Sequence, residues 1–234
     1  MGTSVLWELT RLRRYMGGTT GLTFYVLGVV VLGIAAPLFL TFEFLELPAL
    51  LIYACLPWLF VPPVVAESIA SESERELRPS ERGQRRDWLY GKVGAAAVYG
   101  WVSTMLILAL ALISLRLWAG RFLAPPMLIG VGLVMISAAS ALFAASFTAA
   151  LSIGARSARS VKRAMRQGLL LLVIILLYLS RQPWAWKHRF SVPETGQSFL
   201  ELALVISIVL VGLSAGLVRL ALHAAEPAEI RLNL

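Results

Sequence analysis

Cysteine occurs once in these 234 residues, as Cys55, and histidine twice, as His188 and His223. A lone thiol inside an apolar run excludes an intramolecular disulfide and a cysteine-based metal cluster. The two histidines fall near opposite ends of separate apolar runs, too far apart for one metal site. Charge is also scarce, at 15% of residues. The longest polar stretch, Glu67 to Lys92, is too short and too poor in apolar residues to bury a core, which excludes a catalytic domain folded in water.

The motifs of common membrane and nucleotide chemistry are missing as well. There is no HExxH, no GxSxG, no histidine pair and no pair of carboxylates at helical spacing inside the apolar runs. Gly91-Lys92-Val93 lacks the earlier glycine and the Ser or Thr of a P-loop, so the chain has no such site for ATP. Glu43, Glu46 and Glu201 stand at the ends of apolar runs, where charges commonly face the interface. No catalytic residue, metal site or cofactor site is therefore expected in this chain.

What the chain has instead is hydrophobic length, with 59% hydrophobic residues. Six runs stand out: Leu22 to Phe42, Leu47 to Ala66, Val93 to Leu115, Met127 to Gly154, Gly168 to Trp186 and Phe199 to Leu222. About 20 helical residues cross the hydrocarbon core of a bilayer. Backbone groups must be paired there, and continuously apolar runs without period-two alternation select helices over a barrel. The expected fold is an all-α integral membrane protein of six transmembrane helices, a single domain over residues 1–234. The first run is too long for the apolar region of a signal peptide and lacks its small-residue cleavage site, so it is expected to be retained.

Lys and Arg collect in cytoplasmic loops. Sixteen of the 21 basic residues fall on one side of the expected bundle, including Arg11, Arg13 and Arg14, six between Arg75 and Lys92, and five between Arg156 and Arg166. Both termini are accordingly expected in the cytoplasm of a multi-pass protein of a bacterial-type inner membrane. The net charge of +8 is explained by topology and anionic lipid. With no aromatic-interleaved basic stripe for stacking bases, nucleic acid is not an expected partner.

Three segments are more than plain spans. Residues 4–16 place Val5, Leu9, Leu12 and Met16 at helical spacing with Glu8, Arg11 and Arg14 elsewhere, the pattern of an amphipathic interfacial helix, and Gly17-Gly18 supplies a corner into the first span. The loop at 67–92 carries six acids and six bases. That balance suits a helical extension of the second span that docks a cytosolic protein through complementary ion pairs, and it equally suits a solvated connector. Residues 181–198, with Pro183, Pro193, Trp184 and Trp186, suit an extracytoplasmic hairpin or a loop resting on headgroups. The fourth run is dense in Ala, Ser and Thr from Ser137 to Ala149, which favours close helix packing over a hydroxyl-lined substrate path.

Ala66-Glu-Ser-Ile-Ala-Ser-Glu-Ser-Glu-Arg75, followed by Trp88-Leu-Tyr-Gly-Lys92 at the third span, resembles the segment between spans two and three of ABC-2 type transporter permeases. Leu151-Ser-Ile-Gly-Ala-Arg-Ser-Ala-Arg159, the six runs and the amphipathic start are similar to the same family. The chain departs from it after Arg75, where the polar Glu76-Leu-Arg-Pro-Ser-Glu-Arg-Gly replaces a leucine-rich turn. The resemblance implies a transmembrane subunit of an ABC exporter, without enzyme activity of its own. It would pair with a second permease chain, identical or related, and with a separate ATPase subunit that holds ATP and Mg. It implies that 67–92 contains the coupling element, with Glu67, Glu72, Glu74, Arg75 and Glu76 facing the ATPase, and that Leu9, Leu12, Arg13 and Met16 belong to the elbow helix. A heme-exporter-type permease is a near alternative. From other classes come an ATPase-independent assembly factor, a membrane-embedded enzyme, and a secondary transporter, for which mid-span charges would be expected.

Overall fold

A computed structural model describes residues 18–35, 55–73, 82–119, 127–154, 159–165, 167–168 and 195–224. The described residues form helices throughout: α1 (Gly18–Val30), running into a π-helical turn (Val31–Ala35), α2 (Pro57–Ser73), α3 (Arg82–Ala119), α4 (Met127–Gly154) and α5 (Thr195–Ala224). A further helical stretch covers 159–165. Three of these helices, α3, α4 and α5, are long and apolar enough to cross a membrane. They correspond to the third, fourth and sixth apolar runs. The described parts of the first two runs are shorter, and the fifth run lies outside the described residues apart from Gly168.

α4 is the centre of the bundle. Half of its apolar window is buried, against a third for α3 and 17% for α5. It packs against α2, α3 and α5, and its small residues make this possible. Ala141, Ala144, Ala145 and Ala149 are completely buried in one cluster with Val61, Val65 and Ile69 of α2, Leu89 and Val93 of α3, and Val218 and Ala221 of α5. Ile129, Leu133 and Ile136 of α4 build a second cluster with Phe199 and Ala203 of α5.

Four of the five hydroxyls of α4 serve the helix itself. Ser137 donates to the Val134 carbonyl, Ser146 to Leu142, Thr148 to Ala144 and Ser152 to Thr148, at 2.7 to 3.0 Å. All four are buried. This is the packing arrangement: a hydroxyl that bonds its own backbone can lie in an apolar interface without an orphaned proton.

Gly100 marks the tightest crossing. A Cβ there would lie 2.2 Å from Val61 Cγ2, 3.6 Å from Pro57 Cβ and 3.7 Å from Ala141 Cβ, so α2, α3 and α4 meet only because position 100 has no side chain. α1 is fastened to this group by Tyr25. Ser103 Oγ donates to the Tyr99 carbonyl at 2.7 Å, which leaves its lone pairs for the Tyr25 hydroxyl at 3.0 Å, so Tyr25 is the donor of that second bond. The Tyr25 ring also packs on Phe60 and Tyr99, each with centroids 5.6 Å away. In the π turn beyond, Ser114 Oγ donates to the Ile34 carbonyl at 3.3 Å, which supplies a partner where the helical ladder changes register.

Several boundaries differ from those read off the sequence. α2 continues past Ala66 to Ser73, as a helical extension rather than a loop. α3 starts at Arg82, so Trp88 to Lys92 is helix and not the end of a connector. Two i,i+4 cation–aromatic pairs, described below, support this early start in spite of Gly83 and Gly91. α5 starts at Thr195, taking the last four residues of the expected 181–198 hairpin into a helix, where Gln197 Nε2 donates to Glu201 Oε1 one turn on at 3.2 Å. The rest of that hairpin, and the amphipathic segment 4–16 with Leu9, Leu12, Arg13 and Met16, lie outside the described residues.

Candidate functional site: the charged end of the bundle

At 1.5 Å per residue the 38 residues of α3 extend about 57 Å, well beyond a hydrocarbon core of about 30 Å. Its charges Arg82, Arg85, Arg86, Asp87 and Lys92 gather in the first turns, and the part apolar enough to cross a membrane runs Arg86–Ser114, leaving helix beyond it at both ends. α2 runs beside it in the opposite sense and ends at Ser73, its Ile69 buried in the same cluster as Leu89 of α3. The two helices form a hairpin stalk with only residues 74–81 between them. The ends of α4 and α5 reach the same region through Ala149 and Ala221.

Glu67 lies on this stalk and forms an ion pair with Lys162 in the helical stretch beyond α4. The side chains are 42% and 32% exposed, which makes the pair a semi-solvated link. Such pairs contribute roughly 0–1 kcal/mol, so it fixes position more than it supplies stability. Its effect is to clip the segment after α4 onto the stalk.

Two cation–π pairs order the start of α3. The Arg86 guanidinium lies 5.5 Å from the Tyr90 ring centre and the Lys92 ammonium 5.4 Å from that of Trp88. Both follow i,i+4 spacing, which stacks side chains on one helix face. Lys92 is 2% exposed, so its aliphatic stem is packed within the chain. Asp87 is exposed on the same turns.

Of the residues expected to face an ATPase, Glu67 is at this charged end and is already paired within the chain. Glu72 belongs to the last turn of α2. Glu74, Arg75 and Glu76 lie outside the described residues. Lys162, Trp88 and Lys92 are additions. The i,i+4 spacing of the two cation–π pairs is visible in the sequence, whereas the Glu67–Lys162 pair spans 95 positions and leaves no local signal.

Among the described residues no three His, Cys, Asp or Glu side chains assemble where they could hold a metal ion. Chemically, this end offers a helical platform carrying both charge signs, the kind of surface on which complementary ion pairs can form. Comparison with family models, with curated proteins and with solved structures returns no match.

Proposed function

We propose that this chain is the membrane-spanning permease subunit of an ATP-driven ABC exporter, coupled through its α2–α3 stalk to a separate ATPase subunit. The observation that carries the reading is the stalk: two helices packed side by side, of which α3 is longer than the hydrocarbon core is thick, with only residues 74–81 between them and charges of both signs. A movement imposed on the connector at 74–81 passes along α2 and α3 into the packed core, because Val61, Gly100 and Ala141 leave no slack between α2, α3 and α4. The Glu67–Lys162 pair couples the same movement to the segment after α4.

In this reading all six apolar runs span the membrane, both termini and the charged end are cytoplasmic, and the amphipathic segment 4–16 is an elbow helix beside the stalk. A second permease chain completes the path. ATP and Mg bind only in the partner ATPase, and the membrane is of the bacterial inner type. The near absence of charge in the apolar runs makes hydrophobic molecules the natural cargo class.

Reversing the charge of Glu72, Glu74 and Glu76 together tests the docking role. The expected result is loss of ATPase association with the helical content of the permease retained. Unchanged association and unchanged transport would contradict the stalk as the coupling element.

A further inference from the structure

The two charged segments at this end differ in kind. The stretch 67–92 balances six acids against six bases, whereas residues 155–168 contain five cations and no carboxylate. In the described helical part, 159–165, Val161 is 4% exposed and Met165 half-buried, while Arg159, Ser160, Arg163 and Ala164 are exposed. The buried positions are one helical turn apart, and so are the two arginines. The third cation, Lys162, is spent on Glu67. Among the described residues Arg159 and Arg163 make no ion pair.

The helix is thus amphipathic toward the protein. Its larger apolar residues, Val161 and Met165, are buried or half-buried and only the small Ala164 is exposed, so it has little to insert into acyl chains, and its outward surface attracts mainly through charge. Its position is also restricted. α4, with 28 residues, is about 42 Å long, close to the full thickness of a bilayer with its headgroups. The four residues 155–158 span at most about 14 Å. Arg159 and Arg163 therefore lie within reach of the phosphate layer.

We propose that the outward face of the 159–165 helix, through Arg159 and Arg163, is a docking surface for the headgroups of anionic phospholipids. Guanidinium groups suit this ligand because each can donate two parallel hydrogen bonds to one phosphate. The positive charge of this face selects lipids of net negative charge over zwitterionic ones. The Glu67–Lys162 pair holds the helix so that this face stays turned away from the bundle. The proposal rests on this end of α4 lying at a bilayer surface and is independent of the ATPase reading.

The test uses the full chain reconstituted in vesicles of equimolar phosphatidylcholine and phosphatidylglycerol, extracted mildly, with retained lipids counted by native mass spectrometry. The wild-type protein is expected to retain phosphatidylglycerol preferentially, and the preference to fall about tenfold in Arg159→Gln/Arg163→Gln and in high salt. Arg159→Lys/Arg163→Lys, which keeps the charge, is expected to retain most of it. Circular dichroism confirms that each variant keeps its helix content. An equal lipid ratio in wild type and the Gln variant overturns the proposal. So does a Gln variant with unaltered lipid retention that loses a copurifying ATPase, since the face would then be a protein-docking surface. Loss of ATPase association in the stalk variants alone would leave the lipid preference unchanged.

Discussion

At the scale of single residues, glycines with and without neighbours behave as different chemical objects. Gly100 faces Val61, a fully buried, β-branched side chain with one comfortable rotamer and no free space to move into. Gly100→Ala is expected to destabilise the protein by about 1–3 kcal/mol, the cost of overpacking a close-packed interior. Gly212, with nothing within 4 Å of the position a Cβ would occupy, provides the contrast. Gly212→Ala is expected to leave stability unchanged or raise it by up to about 1 kcal/mol through helix propensity. Unfolding of both variants in the same detergent compares them, and equal effects would contradict the packing assignment. Hydroxyls divide in the same manner. Tyr25 ties α1 to α3 through Ser103, and Tyr25→Phe is expected to cost about 1 kcal/mol. The buried Ser207 hydroxyl has no hydrogen-bond partner among the described residues, so Ser207→Ala is expected to be neutral or stabilising in the same assay.

At the scale of elements, the apolar runs locate α3, α4 and α5 because a helix in lipid must be apolar along its whole buried length. Their ends are less legible, since the rule falls silent where the chain leaves hydrocarbon. The eleven residues from Arg82 to Lys92 carry five charged side chains yet are helical, held by Arg86–Tyr90 and Trp88–Lys92. Spin labels placed singly from Gln84 to Leu89 are expected to show a 3.6-residue periodicity in mobility; a flat profile would contradict the stalk. The small residues of α4 announce close packing in the sequence, and the structure adds that four of their five hydroxyls bond their own backbone. The Glu67–Lys162 pair was not legible, because a pairing across 95 positions depends on how whole helices pack. A double-mutant cycle on Glu67→Gln and Lys162→Gln is expected to give a coupling of about 0.2–1 kcal/mol that shrinks in high salt. Zero coupling at low salt would contradict the clip.

At the scale of the whole molecule, the parts have unequal freedom. α4 is held on three sides, whereas α5 leaves a broad apolar surface open that includes Val205, Ile208 and Leu220, each more than half exposed. The firm connection runs from the charged stalk into the crossing of α2, α3 and α4 at Gly100. That path gives the proposed coupling its physical basis: close-packed helices transmit displacement because interiors resist compression. The most direct test of the central claim is purification of the tagged chain in mild detergent, with identification of the co-eluting proteins and an assay for ATP hydrolysis. The account predicts a stoichiometric ATPase subunit with vanadate-sensitive turnover. A chain that elutes free of any ATPase in several detergents would contradict it and favour a membrane factor that works without one.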